Sequence, residues 1–280
     1  MLPYDATAVS LFTPYVDEHV YLIPEDTVTS GACAELARLV YILFEKEPTE
    51  HARLVAALRV GGYELVKAFS KNTTQAMAVS HIKSGKLIVV FRGTEIRWWD
   101  ITTILTVIPS KWPHGGFTHT GFQNALNKVW GEICNVCGDR LNTAIFTGHS
   151  LGAAIATLAA NDIKHKASAH LPEPKLITFG SPAVGDAAFA ASSTGYLVKR
   201  YVNCCDLVIN VPPEIAGFVH VGEALYFNSK GKLDASSPAI LKMDRYLARA
   251  YFLARYFFDK SSVKVRDLAD HAPTNYVRLF

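Results

Sequence analysis

No stretch of this 280-residue sequence stays apolar over the roughly 18–20 residues that a membrane-spanning helix needs. Basic and acidic residues nearly balance, with a net charge of +3 and no Lys/Arg-rich block, so nucleic acid is not expected as a partner. The five cysteines (Cys33, Cys134, Cys137, Cys204, Cys205) are odd in number and lack the spacing of a disulfide framework. Cys134 and Cys137 form an isolated CxxC. A tetrahedral zinc centre built on it would need the adjacent Cys204 and Cys205 as its other ligands, so reduced thiols are expected and no metal. The opening residues, MLPYDATAVSLF, show neither a basic n-region nor an apolar h-region. A cytoplasmic chain is expected, or one exported without a visible signal. Repeats, low-complexity segments and Pro/Gly/Ser linkers are also missing, which leaves one domain over residues 1–280.

What is present is a core. Half of the residues are apolar, enough for a single α/β domain of this length. Helical spacing predicts helices over Ala32–Glu47 and Glu50–Val60. Strand patterning follows at Tyr63–Phe69, Gln75–His81 and Lys86–Phe91. Helices and strands then alternate: Phe122–Val136, Thr143–Thr147, Leu151–Lys164, Lys175–Phe179, Asp186–Ser192 and Tyr196–Asn203. That order predicts a mostly parallel central sheet flanked by helices, with ligands bound at the carboxyl ends of its strands.

The most informative residues lie at one of those ends. Gly148-His149-Ser150-Leu151-Gly152 is a G-x-S-x-G motif fed by the strand Thr143–Thr147 and left by the Ala-rich helix from Leu151. Strand, sharp turn and helix are the setting of a nucleophile elbow. Bare glycines let the chain pass close to its neighbours, and Ser150 stands at the positive end of the helix, where an oxyanion is favoured. The plainer reading of the same turn is a helix N-cap.

A serine needs a base, and the base an orienting acid, in this fold in the order Ser, acid, His. Asp162 sits within the helix after the elbow and is expected to face solvent. Asp206 closely follows the strand Tyr196–Asn203 and is the better acid. Two histidines come after it. His220 lies in an alternating apolar segment and is expected to pack or hydrogen-bond into the sheet. His271, on a late polar loop, is the preferred base, as a mobile imidazole reaching over the sheet edge. A metal or organic cofactor is not required.

With these residues in view, the chain resembles the class 3 lipase family, which includes fungal triacylglycerol lipases and related bacterial and plant lipases and phospholipases. The stretches that carry the resemblance run in family order over about residues 85–275. They are Val90-Phe91-Arg92-Gly93-Thr94, His119-Thr120-Gly121-Phe122, the Ser150 motif, Thr178-Phe179-Gly180-Ser181-Pro182-Ala183-Val184-Gly185-Asp186, Asp206-Leu207-Val208 with Pro212-Pro213, the Gly217–Tyr226 stretch and Asp270-His271. The resemblance implies an α/β-hydrolase fold with a short helical lid. It implies Ser150, Asp206 and His271 as the catalytic triad, and Thr94 with the backbone N–H of Leu151 as the oxyanion hole. Thr94 also closes a strand in an Arg-Gly-Thr turn; a plain strand-ending turn would look the same, but the second oxyanion donor is the preferred reading because it comes from such an early strand loop.

Residues 95–115 are then the lid. Trp98, Ile101, Leu105, Ile108 and Trp112 recur at steps of three and four, beside Trp99, until Pro109 bends the chain. A permanently packed helix has the same pattern, but its place after Thr94 favours a lid. The insertion over 230–270 holds a second amphipathic stretch, Ala239–Lys260. Basic and aromatic, it could lie on a membrane, but covering the sheet is preferred. The expected activity is hydrolysis of lipid esters through an acyl-enzyme, with transient contact at a lipid interface and no transmembrane segment. Phospholipase A1 or small-ester esterase activity is the alternative, and a non-catalytic lipid-binding relative the more distant one. The oligomeric state cannot be read from the residues.

Overall fold

The structure, a computed structural model, describes residues 3–93, 108–166 and 173–280. A seven-stranded sheet runs in the order β1-β2-β3-β6-β7-β8-β9. Strands β1 (Tyr63–Lys71), β2 (Thr74–His81) and β3 (Leu87–Phe91) pair antiparallel. From β3 onward, β6 (Ile145–His149), β7 (Lys175–Phe179), β8 (Leu197–Asn203) and β9 (Ala224–Phe227) are parallel. A short side ribbon joins β4 (Pro109–Lys111) to β5 (Phe117–His119).

The strands alternate between two cores, as the period of two requires. Ala76, Ala78, Val89, Phe91, Phe146 and Leu176 face one cluster. That face is covered by α4 (Thr120–Cys137) and α5 (Leu151–Lys166), through side chains such as Phe122, Val129, Ala154 and Leu158. Met77, Val79, Ile88, Val90, Ile177 and Phe179 face the other. There α2 (Ser30–Leu39) and α3 (Pro48–Val60) pack with Leu36, Leu54 and Leu58. A further helix, α1 (Ala8–Phe12), begins the chain, and α6 (Ala187–Ser192), α7 (Pro238–Tyr256), α8 (Arg266–Ala269) and α9 (Pro273–Val277) complete the set used below. Among the described residues, no helix is long and apolar enough to cross a membrane.

Three sequence expectations need correction. The helix expected over Ala32–Glu47 stops at Leu39. The Arg92 guanidinium donates to the carbonyls of Val40 and Ile42, both at 2.6 Å, and grips Glu45 at 2.7 and 2.9 Å. It thereby takes acceptors that a continuing helix would use, and the chain tightens into i−3 bonds there. The helical face assumed to run through Trp112 also fails. Pro109–Lys111 is a strand, and Trp112 is buried with its indole N–H donating to Asn161 at 2.6 Å. Asp162, expected in solvent, is buried because Trp130, His114 and Lys166 all reach its carboxylate.

Arg92 is a test of how these pieces are held. Replacing it by Met leaves Glu45 and two carbonyls without their donor, and should lower the unfolding free energy by about 3 kcal/mol. Urea titration checks this, and an unchanged midpoint would show that the guanidinium holds nothing.

Candidate active site

The turn after β6 is where the backbone is most constrained. Ser150 has φ of 58°, a left-handed conformation that side-chain-bearing residues rarely adopt. Its N–H donates to Phe179 O of β7 at 3.0 Å, and its own carbonyl accepts from Ala153 at 3.0 Å to start α5. The flanking glycines have a steric cause. A Cβ on Gly148 would lie 2.5 Å from the carbonyl of Gly152, and one on Gly152 would lie 2.1 Å from Phe91 O. Strand, turn and helix can be this close only without those side chains. Leu151 is the first residue of α5, so its N–H has no partner within the helix and points with the other free N–H groups of that end.

The side chains then meet in a line. Ser150 Oγ lies 2.9 Å from His271 Nε2. His271 Nδ1 lies 2.9 Å from each oxygen of Asp206. Asp206 also accepts from Val208 N at 2.9 Å and from the Tyr276 hydroxyl at 2.6 Å. With Nδ1 facing a carboxylate it carries the proton, which leaves Nε2 free to accept from the serine. All three residues are buried, at 0%, 2% and 1% exposure for Ser150, His271 and Asp206. His271 is therefore not on a mobile polar loop. It sits in the turn between α8 and α9, and its carbonyl accepts from His149 Nε2 at 2.7 Å.

Several supporting residues had no role assigned from the sequence. Tyr276 donates to Asp206 while accepting from Asn203 N at 3.1 Å, so it ties α9 to the end of β8. Burial and the Asp206 charge push its phenol well up, so it stays a donor. His149 accepts from Tyr41 OH at Nδ1, 3.0 Å away, and burial, then His271, pulls its ring well below the ordinary value. Asp270, buried beside His271, is held by Arg266 at 3.0 Å, Tyr4 at 2.7 Å and Cys205 N at 2.9 Å. The sequence signals for this set were the place of His149 within the Ser150 motif and the adjacency of Asp270 to His271.

The other candidates fall as follows. His220 is not near the serine as a base; its Nε2 donates to Ile209 O at 2.8 Å. Thr94 and the lid residues Trp98, Trp99, Ile101 and Leu105 lie outside the described residues. Ile108 is exposed, while Trp112 packs edge-on against Phe189 in the core and presents nothing to the triad. The five thiols are free. Cys204 and Cys205 lie close together with Asp270, whose oxygens are already engaged by Arg266, Tyr4 and Cys205 N.

Fold and site together define an α/β-hydrolase carrying a Ser–His–Asp constellation. Residues 88–216 match the family model described as lipase (class 3), which places that stretch of the chain beside this family. It is 36% identical over 164 residues to a lipase of Rhizomucor miehei, covering 54% of this chain and 44% of that one. It is 46% identical over 159 residues to the chloroplastic phospholipase A(1) DAD1 of Arabidopsis thaliana, covering 48% of this chain and 35% of that one. A solved triacylglycerol lipase, described as having a serine-protease triad as its catalytic centre, superposes with a TM-score of 0.58 at 27% identity, over 71% of this chain and 77% of that one. The chain spans less than half the length of the curated relatives named here.

The buried histidines set an acid limit on stability. His220 is pulled down to about 4 by burial and then by the Arg200 charge. Its folded value lies below the unfolded one, so the unfolded chain takes up the proton first. Stability present above pH about 6.5 is then lost as the pH falls toward about 4. His149 acts in the same direction. In His220→Gln, whose amide can still donate to Ile209 O, this loss should shrink by on the order of 2 kcal/mol. Melting at neutral and acid pH reads it; an equal acid loss in parent and variant would refute it.

Proposed function

We propose that this chain is a serine carboxyl-ester hydrolase acting on lipid esters through an acyl-enzyme. The observation that carries the reading is the unbroken line from Ser150 Oγ through His271 to Asp206, at 2.9 Å for each step. His271 takes the Ser150 proton as Oγ attacks the ester carbonyl, and Asp206 stabilises the imidazolium. The Leu151 N–H, and Thr94 by the family resemblance, receive the oxyanion. Collapse of the tetrahedral species expels the alcohol, which takes the proton from His271. Water, activated by the same imidazole, then releases the acid and restores Ser150.

The match to the lipase family model supports lipid esters over other acyl compounds, and acylglycerols are the first substrate class to try. The phospholipase A(1) relative, more identical than the fungal lipase over a similar length, favours phospholipid acyl esters as the second. We read the segment after Thr94 as the lid on its sequence alone. A triad buried this fully needs an opening for substrate, and a lid would provide it against a lipid interface.

Ser150→Ala should abolish turnover and labelling by a serine-directed fluorophosphonate while the melting temperature holds. Asp206→Asn should lower kcat by about 10⁴, as the imidazole loses its correct tautomer. A parent chain that neither labels at Ser150 nor turns over any ester would instead be a non-catalytic lipid-binding relative.

A further inference from the structure

The stretch expected to cover the sheet does not. Helix α7 buries only Ala248 and Phe252 along its length, the latter packed on Tyr4 and Tyr256. Outside that narrow seam, Ile240, Met243, Leu247 and Tyr251 recur at steps of three and four, and Phe258, just past the helix, follows seven residues on. That is one helical stripe, and these five are 58 to 89% exposed. Tyr246, Leu253 and Phe257 widen it. A continuous apolar face of this kind marks an interaction site, unlike the scattered exposed leucines of any surface.

The charge around the stripe says what it meets. Residues 238–260 hold Lys242, Arg245, Arg249, Arg255 and Lys260 against Asp244 and Asp259, a surplus equal to the +3 of the whole chain. Both acids are already satisfied, Asp244 by Ser229 and Asp259 by Ser261 and Ser262. Arg249 is spent on Asp267, and Arg245 on Tyr226. Lys242, Arg255 and Lys260 remain exposed and form no salt bridge among the described residues. A surplus equal to the molecule's net charge thus lies on this exposed apolar helix.

The helix also sits at the catalytic end of the sheet. Cys205, the neighbour of Asp206, donates its thiol to Arg245 O at 3.6 Å, and Arg249 grips Asp267 of α8, the helix that leads into His271. We propose that α7 is a docking helix for anionic lipid surfaces: its apolar stripe enters the interface, and Lys242, Arg255 and Lys260 contact acidic headgroups. Docking would hold the triad end of the molecule against the lipid, a role that rests on the lipid-ester reading. The surface itself does not.

Binding is therefore measured on the Ser150→Ala protein, by co-sedimentation with phosphatidylcholine vesicles made with and without phosphatidylglycerol. The protein should bind the anionic vesicles and release from them in high salt. The exposed-site double variant Leu247→Glu with Phe258→Glu, checked for an unchanged melting temperature, should bind at least about tenfold less. Lys242→Glu with Arg255→Glu should lose the preference for anionic vesicles. Parent protein that ignores the vesicles, or a stripe variant that binds as well as the parent, would overturn the proposal. So would a parent dimer in light scattering that the stripe variant splits, because a second copy would then be the occupant. Turnover of a dissolved short-chain ester by the unmutated chain is scored separately, so a failed docking helix and a failed hydrolase give different results.

Discussion

The buried carboxylate of Asp206 is the point on which the rest of this structure depends. It leaves the end of β8 and accepts from three directions: the His271 ring, the Tyr276 hydroxyl and the Val208 N–H. A lone carboxylate at 1% exposure would be costly, and three donors offset that cost. Two of those donors come from the last ten residues of the chain. The same bonds that make Asp206 tolerable therefore deliver the imidazole to the serine, so folding of the carboxyl end and assembly of the site are one event.

That arrangement requires the carboxyl end to be fixed, and the fixing is done by polar contacts in a dry place. The N-terminal residues lie across the turn that carries His271: Tyr4 donates to Asp270, and Asp5 N donates to Asn275. Arg266 reaches Asp270 from one helical turn earlier, and Arg278 stands over the Tyr4 ring at 4.9 Å. On the other side, His149 bridges Tyr41 of the early chain to the carbonyl of His271. Such a network rigidifies only when every member is paired, and Asp270 meets that condition with three donors. The first and last dozen residues hold each other, and the imidazole sits between them.

Much of this was legible in the residues, for identifiable reasons. The elbow could be read because its chemistry is local: strand, bare glycines and helix follow one another without a gap, so spacing in sequence is spacing in space. Asp206 was readable because it comes within three residues of a strand's end. Tyr276, Tyr4 and His149 were not, because their partners lie 70, 266 and 122 positions away, and no local pattern marks a residue for such a contact. The helix over Ala32–Glu47 was overextended for the same reason. Its propensity was correct, but Arg92, 50 positions on from Ile42, claims the carbonyls. Asp162 was misplaced by a rule that is right on average. A charged residue in a helix belongs in solvent unless three donors wait on the other side, and here they do.

The chain between β9 and α8 follows from the same constraint. His271 must arrive at Asp206 from a fixed direction, set by the Asp270 and Asn275 contacts, so the chain between β9 and α8 is free to vary only on its outer side. Helix α7 uses that freedom. Its inner seam is tied by Cys204 and Cys205 to the end of β8 and by Arg249 to Asp267, and the apolar stripe is left exposed. A helix that only had to bridge the gap would carry polar residues there, since exposed Ile, Leu and Phe lower solubility and add nothing to the fold. The outward face is thus left open to the surroundings, and the Arg249–Asp267 contact links its helix to α8, which leads into the histidine of the site.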